Sequence, residues 1–248
     1  MTVTLVSAAE RPDLVEAAET LSVGLWPAYL KTTALLTYWD ELYSPSLSHF
    51  QTIAIDAASG DVIAVGNSIP FFRASNVSLP DTGWDWVIEQ GALAARDGSP
   101  VNSLSALAVT IAPAYRGTGL AVQLLEAMKP AARGLGLADM VAPVRPTLKA
   151  RYPLQDFATY CGWRRQDGEL FDPWLRTHER LGATIIGPAN RSMTVTAPVE
   201  QWESWTGLRF PATEAYAITG ALAPLQIDLA TGLGTYEEPN LWMRHPLG

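Results

Sequence analysis

The chain has 248 residues, 48% of them hydrophobic and 17% charged, a balance typical of a globular protein with a sizeable core and not of a disordered chain. A formal net charge of −8 argues against a nucleic-acid-binding protein, which would need a basic face. One cysteine, Cys161, no signal-like start and no apolar run of roughly 18 residues predict a cytoplasmic protein without disulfides or membrane contact.

The first third of the chain predicts a strand, two helices and a β-hairpin. Residues 2–7 alternate as a strand does, and a helix with apolar residues at helical spacing follows them. A second, short helix is predicted over residues 34–43. Residues 50–56 and 62–69 are β-rich runs on either side of a Ser-Gly-Asp turn, which predicts an antiparallel pair. A longer helix is predicted within residues 81–98.

The chain is organised around residues 104–134, which predict a strand, a glycine-bearing turn and a helix. The strand, residues 104–111, is aliphatic, and the helix after it is amphipathic. A helix N-terminus has backbone N–H groups without partners and carries partial positive charge. Gly117 and Gly119 let a phosphate approach the backbone, because no Cβ stands in the way. The stretch therefore predicts an anion site, although it matches neither the dinucleotide fingerprint nor the P-loop pattern.

The second half of the chain is longer and more irregular. A strand over residues 139–144 is followed by a segment, residues 145–171, that carries Arg145, Lys149 and Arg151. The elements predicted in and after this segment are helices near 157–163, over 172–182 and over 199–207, strands over 183–186 and 192–196, and a β- and turn-rich tail over 216–246.

The central stretch resembles a known family. The pattern Arg116-x-x-Gly119-x-Ala121, with its aliphatic strand and amphipathic helix, is similar to the R/Q-x-x-G-x-G/A pyrophosphate loop of the GNAT superfamily of acyl-CoA-dependent N-acyltransferases. The alternative is a plain strand–turn–helix whose glycines serve tight packing. The predicted order of elements from residue 2 to residue 134 agrees independently with the order in the GNAT fold.

The resemblance implies an α/β (α+β) fold with a GNAT-like mixed, splayed central sheet flanked by helices. It places an insertion after the fifth strand and an extended β-rich segment at the C-terminus. We expect one domain over residues 1–248, with a core over about 1–195 and an elaboration over about 196–248. The elaboration has three candidate roles: completing the sheet, covering the acceptor site, or forming a homodimer surface.

The resemblance also implies where acetyl-CoA, the expected co-substrate, would bind. The backbone of Val109, Thr110 and Ile111 would pair with the pantetheine amides as an added strand does. The pyrophosphate would lie on the loop and the first turn of the helix. The loop residues are Arg116, Gly117, Thr118, Gly119, Leu120 and Ala121.

The catalytic residues are harder to assign. His178 lies where the family's Y-x-x-L-G-F motif has a tyrosine that serves as general acid, and its other interpretation is a histidine stabilised by a helix C-terminus. A rival alignment puts Tyr160 at that place. No carboxylate stands on the central strand, so the base is sought in a water held by Ser105, or by Ser103, or in Glu89. Other candidate carboxylates are Asp85, Glu237 and Glu238, and Trp84, Asp85 and Glu89 are candidates for contacting the acceptor or for a solvated helix face.

The predicted function is acetyl transfer to a small-molecule amine by direct attack in a ternary complex. One alternative keeps the fold with another donor: acyl carrier protein, a longer acyl-CoA or an aminoacyl-tRNA, with Arg145, Lys149 and Arg151 contacting a carrier or the CoA 3′-phosphate. Another is a module that binds acyl-CoA without catalysis. Three dispersed histidines and one cysteine provide no ligand cluster, so no metal is expected.

Overall fold

The computed structural model describes residues 2–32, 36–74 and 77–247. Strands and helices are numbered separately in chain order. The described strands are β1 (Val3–Ser7), β2 (Gln51–Asp56), β3 (Val62–Phe71), β4 (Ser103–Ile111), β5 (Asp139–Val144), β6 (Thr184–Pro198), β7 (Ala215–Tyr216), β8 (Leu225–Asp228) and β9 (Leu233–His245). The described α-helices are α1 (Val15–Gly24), α2 (Leu36–Trp39), α3 (Gly83–Asp97), α4 (Leu120–Gly134), α5 (Phe157–Cys161), α6 (Pro173–Arg180) and α7 (Val199–Thr206).

Local sequence explains why the helices near the centre form. α4 buries the stripe formed by Leu120, Leu124, Leu125 and Met128, as its spacing predicts. α6 begins at Asp172, whose carboxylate accepts hydrogen bonds from the N–H groups of residues 174 and 175, with proline at the first helical position. None of the helices in the described part of the chain is both long and apolar enough to cross a membrane.

The strands form one mixed sheet in the order β1-β2-β3-β4-β5-β9-β8-β7, with β6 also paired to β9. β1 to β4 are antiparallel neighbours, whereas β4 and β5 are parallel. The parallel pairing is short and ends where Ser105 faces Val141. Beyond that point β4 continues to Ile111 and β5 to Val144 without pairing to each other, so the sheet splays open at its centre. The predicted fold class is confirmed, including the splay.

The C-terminal segment lies inside the sheet. β9 pairs with β5 through residues 241–245 and along its whole length with β6. β8 pairs with residues 233–235 of β9, on the same edge of β9 as β5. Residues 236–240 of β9 therefore have no strand on that edge among the described residues. Of the three roles considered for the tail, completing the sheet is therefore observed.

Two boundaries differ from the sequence-based expectation. β6 is one strand where two runs were predicted, and it shifts register near Gly187 and again between Ala189 and Met193. Such bulges break the two-residue alternation on which the prediction rests. The helix predicted over residues 34–43 is α2 followed by a 3-10 turn at Asp40–Tyr43, and residues 34 and 35 lie outside the described residues.

Candidate active site

The splay between β4 and β5 opens a cleft with a volume of about 480 Å³. One wall is the part of β4 that does not pair with β5, from Ala106 to Ile111. The opposite wall is the end of β5 with the residues that follow it. The other lining residues come from the loop after α1, from α3, α4 and α6, and from β6 and β9. The lining includes Trp26, Trp84, Arg116, Ala121, Arg145, Trp174, His178, Glu238 and Asn240.

One end of the cleft is the glycine loop, where Arg116 and Ala121 line it. Gly117 and Gly119 have positive φ angles of 77° and 86°, in the left-handed region that favours glycine. A Cβ added to either glycine would meet nothing within 4 Å, so these glycines do not serve packing. The turn is shaped by backbone conformation and leaves space above it, as an anion cradle requires.

The first turn of α4 gives this end of the cleft a positive electrostatic potential. No side chain among the described residues caps the helix, and Gly119 occupies the N-cap position. Because uncapped N–H groups and the helix dipole favour negative charge, this terminus and the Arg116 guanidinium suit a pyrophosphate. The Leu120 side chain is buried in the core, so only its backbone is available to a ligand.

The middle of the cleft is the unpaired edge of β4. Val109, Thr110 and Ile111 line the cleft, and their backbone groups on the β5 side have no strand partner among the described residues. β4 also carries a bulge, because Ala106 and Ala108 pair with successive residues of β3 and the residue between them has no opposite. The free edge can therefore accept an extended ligand as an added strand.

Trp84 holds the bulge in place. Its indole Nε1 donates a hydrogen bond of 3.1 Å to the carbonyl oxygen of Leu107, the bulged residue. Its ring lies 5.7 Å from the Trp26 ring and 6.1 Å from the Trp39 ring, measured between centroids. The aromatic group that results forms the wall of the cleft beside the bulge.

His178 lies in the wall of the cleft, on α6. Its Nδ1 is 2.8 Å from Nε2 of His245 on β9, so one nitrogen of this pair donates and the other accepts. Burial and the neighbouring His245 lower the pKa of His178 to about 3, and burial lowers the pKa of His245 to about 4. Both rings are therefore neutral at pH 7. The remaining nitrogens, Nε2 of His178 and Nδ1 of His245, are buried without a hydrogen-bond partner among the described residues.

The other two predicted catalytic residues lie outside the cleft lining. Ser105 is fully buried on the paired part of β4, and its hydroxyl contacts the carbonyl of Ala106 at 3.4 Å. Glu89 is half-buried on α3 and accepts a hydrogen bond of 3.4 Å from the Tyr38 hydroxyl. The structure thus brings His178 together with Val109, Thr110, Ile111, Arg116 and Ala121, but it does not bring Ser105 or Glu89 to them. The roles of these residues stay predictions.

The cleft lining also contains an ion pair between Arg145 and Glu238. The guanidinium Nε donates to Glu238 Oε1 at 2.8 Å and Nη2 donates to Oε2 at 3.0 Å. Nη2 also donates to the Gly220 carbonyl at 2.6 Å, and the Tyr236 hydroxyl donates to Glu238 Oε2 at 2.9 Å. Asn240, which accepts a hydrogen bond from the Ser192 hydroxyl at 2.6 Å, lies on the same wall.

One expectation about basic residues is wrong. Lys149 is 1% exposed, and its Nζ donates to the carbonyls of Tyr152 and Leu222 at 2.8 and 2.6 Å, so it cannot contact a carrier or a CoA phosphate. Arg145 lines the cleft in an ion pair with Glu238, and its contact with a carrier or a CoA phosphate stays a prediction. Arg151 is exposed and forms no ion pair with the other described residues, so its expected contact with a carrier or a CoA phosphate stays a prediction.

Asp85 is a carboxylate next to this site and not in its lining. Its Oδ2 accepts a hydrogen bond of 2.9 Å from the Thr194 N–H, whereas Oδ1 is buried without a partner among the described residues. Burial raises the pKa of the Asp85 carboxyl to about 7.

Sequence reasoning did not find three features of the site. These are His245, Trp26 and the ion pair between Arg145 and Glu238. The residues that meet are far apart in the chain: His178 and His245 by 67 positions, and Arg145 and Glu238 by 93. The only usable signal was indirect, since Arg145 follows a predicted strand and Glu238 lies in a predicted β-rich tail. Within the described residues, no three His, Cys, Asp or Glu side chains are grouped as a metal site would require.

Comparison with known proteins places this geometry in a family. The arginine N-acetyltransferase avaD of Aspergillus versicolor is 33% identical to the chain over 272 residues, which cover 98% of this chain and 93% of the relative. No family model matches the chain.

Two solved structures share the fold over the full length of the chain. The loading GNATL domain of CurA from Lyngbya majuscula has a TM-score of 0.63 at 18% identity, covering 100% of this chain and 98% of that one. The GphF GNAT-like decarboxylase in complex with isobutyryl-CoA has a TM-score of 0.58 at 16% identity, with full coverage of both chains. Identity of 33% along nearly the whole of both chains, together with the splayed sheet and the glycine loop, shows that the chain belongs to the GNAT superfamily and is an N-acyltransferase.

Proposed function

We propose that the chain transfers the acetyl group of acetyl-CoA to an amine of arginine or of a closely related amino acid. The observation that carries the proposal is the 33% identity to an arginine N-acetyltransferase over nearly both full lengths. The cleft supports it, because one continuous space connects the glycine loop with the ion-paired end through the unpaired edge of β4.

Different parts of the cleft would bind the pyrophosphate, the pantetheine arm and the acceptor. Arg116 and the N–H groups at the start of α4 would hold the pyrophosphate, and the free edge of Val109, Thr110 and Ile111 would hold the pantetheine arm. When bound, acetyl-CoA supplies a thioester carbonyl that an amine can attack. The acceptor would enter from the end lined by Trp26 and Arg145.

Direct transfer fits the side chains present. Among the described residues, the cleft lining contains neither serine nor cysteine. The cleft therefore offers no thiol and no serine hydroxyl to form an acyl-enzyme. Cys161 lies elsewhere, buried, and burial raises the pKa of its thiol to about 12, which keeps it protonated and unreactive. In direct transfer the amine nitrogen forms the C–N bond, the C–S bond breaks, the amine loses one proton and the thiolate takes one up.

The test combines binding and turnover. Acetyl-CoA is titrated calorimetrically into the wild-type protein and into an Arg116→Glu, Gly119→Trp variant, and release of free thiol is then measured with arginine. We expect binding that the variant loses, and thiol release that depends on arginine. Acetyl-CoA binding without thiol release for any amine would instead favour a non-catalytic module. Absence of binding would favour a carrier-protein or tRNA donor.

A further inference from the structure

The charges that face the cleft are unevenly distributed. Its charged lining residues are Arg116 at the loop end and Arg145 with Glu238 at the acceptor end, while His178 is neutral. The Glu238 residue is 0% exposed, whereas the Arg145 side chain is 36% exposed. Arg145 is therefore the more accessible member of the ion pair.

Arg145 is held in one orientation with part of its hydrogen-bonding capacity unused. Nε and Nη2 are engaged by Glu238 and the Gly220 carbonyl, and the Tyr236 hydroxyl fixes Glu238 in turn. Nη1 has no hydrogen-bond partner among the described residues. A guanidinium presents fixed N–H donors and stays charged, so this nitrogen offers charge-assisted hydrogen bonds to an anion of the ligand.

We propose that Arg145 binds the α-carboxylate of the acceptor, so that the enzyme acetylates the α-amine of a free amino acid. The inference rests on the proposed function and specifies its substrate class. In an α-amino acid the amine and the carboxylate share one carbon, so anchoring the carboxylate on Arg145 also confines the amine to the cleft. The amino-acid side chain lies along the aromatic wall of Trp26 and Trp84.

The reaction balance is that of the proposed transfer. The α-nitrogen forms the amide bond to the acetyl carbon, the C–S bond of the thioester breaks, one amine proton leaves and the CoA thiolate takes one up. The carboxylate stays ionised throughout, and Arg145 is a binding residue that takes no part in proton transfer.

The first experiment needs no variant. Arginine and agmatine, which is arginine without its carboxylate, are compared by kcat/KM with acetyl-CoA on the wild-type enzyme, and the product is located by fragmentation mass spectrometry. Charge-assisted hydrogen bonds of about 1.5–3 kcal/mol correspond to roughly 10- to 100-fold, so arginine should be favoured by that factor and acetylated on its α-nitrogen. Equal kcat/KM for the two amines, or acetylation of the guanidino group, overturns the inference.

Variants then test whether Arg145 causes the preference for arginine over agmatine. An Arg145→Gln, Glu238→Gln double variant removes both charges together, so no buried carboxylate is left unpaired. It should raise the KM for arginine by about 10- to 100-fold and bring the ratio of kcat/KM for arginine over agmatine close to one, with the Kd for acetyl-CoA unchanged. Arg151→Gln, an exposed arginine from the same segment, is the matched control and should leave the KM for arginine at the wild-type value. If the double variant does not fold, Arg145→Lys replaces it, since lysine keeps the charge and lacks the planar fork.

The acyl donor is a second source of a carboxylate for Arg145, and the experiment separates the two sources. Succinyl-CoA carries a carboxylate on its acyl chain, and its Kd should be the same for wild type and double variant. A loss of succinyl-CoA binding with arginine kinetics unchanged overturns the assignment to the acceptor. If arginine is not acetylated, each other amino acid is compared with its decarboxylated amine on the same criterion. If no amine is acetylated, the proposed function fails, and this inference fails with it.

Discussion

His178 contributes a neutral imidazole to the wall of the cleft, with one nitrogen tied to His245 and the other free of partners in the described chain. Tyr160, which a rival alignment would place in the same role, donates its hydroxyl to Asp172 at 2.8 Å and lies outside the cleft lining. Of these two candidates only His178 lies at the cleft, and its role in exchanging a proton with the departing thiolate stays a prediction.

Substitution of these two residues tests that role. His178→Gln preserves a hydrogen-bonding group towards His245 and removes the titrating ring, and we expect kcat to fall by about 100-fold or more with little change in KM. Tyr160→Phe should lower the melting temperature through the lost hydrogen bond, and kcat should stay at the wild-type value. Steady-state kinetics and thermal melts of both variants are the measurement. Wild-type kcat in folded His178→Gln would contradict the role.

At the scale of the element, β4 is central because it changes partners along its length. It pairs with β3 throughout, with β5 only up to Ser105, and it bulges at Leu107 where the second pairing has ended. A bulge leaves backbone groups outside the ladder, and the Trp84 indole satisfies the carbonyl at this one. The helix α3 is thereby attached to the point where the cleft opens.

Trp84→Phe tests this attachment. The substitution leaves a buried carbonyl without its donor, which costs about 1–3 kcal/mol of unfolding free energy, and it should lower kcat as the bulge loses its support. Trp86→Phe on the same helix is the control, because Trp86 packs edge-on against Phe71 at 5.6 Å and has no hydrogen bond to β4 among the described residues. Chemical denaturation and kcat are measured for both. Equal losses in kcat for the two variants would argue against a special role of the Trp84–Leu107 hydrogen bond.

At the scale of the whole molecule, the His178–His245 pair connects α6 to β9, the strand that completes the sheet. Both imidazoles have a lower pKa in the folded protein than the ordinary value of 6.5. Between about pH 4.5 and 6.5 the unfolded chain therefore binds more protons than the folded one, so the free energy of unfolding rises with pH in this window. Asp85 acts in the opposite direction, because its pKa is raised on folding.

Thermal melts from pH 4.5 to 7.5 measure this balance. We expect the melting temperature of the wild type to rise up to about pH 6.5, since two imidazoles outweigh one carboxyl. A His178→Gln, His245→Gln double variant should show a melting temperature that falls with pH in this window, because only the Asp85 contribution remains, and Asp85→Asn should show a steeper rise than the wild type. A wild-type melting temperature that falls between pH 4.5 and 6.5 would contradict the neutral buried pair.

The sequence by itself determined the elements whose signals are local. The strand, the glycine turn and α4 were predicted because periodicity, positive-φ glycines and a helix start are properties of neighbouring residues, and they sufficed to identify the family. The start of α6 was predicted from Asp172 and Pro173 for the same reason. Burial of α4 on the predicted stripe followed from its 3.6-residue period.

Only the tertiary structure decided which side chains meet at the site. Ser105 and Glu89 stand on predicted elements, yet sheet pairing buries the first and helix orientation turns the second towards Tyr38. Arg145 and Glu238 meet because β9 crosses the chain to lie beside β5, and His178 meets His245 for the same reason. Such contacts depend on long-range strand order, and residues 67 to 93 positions apart leave no local pattern that would reveal them.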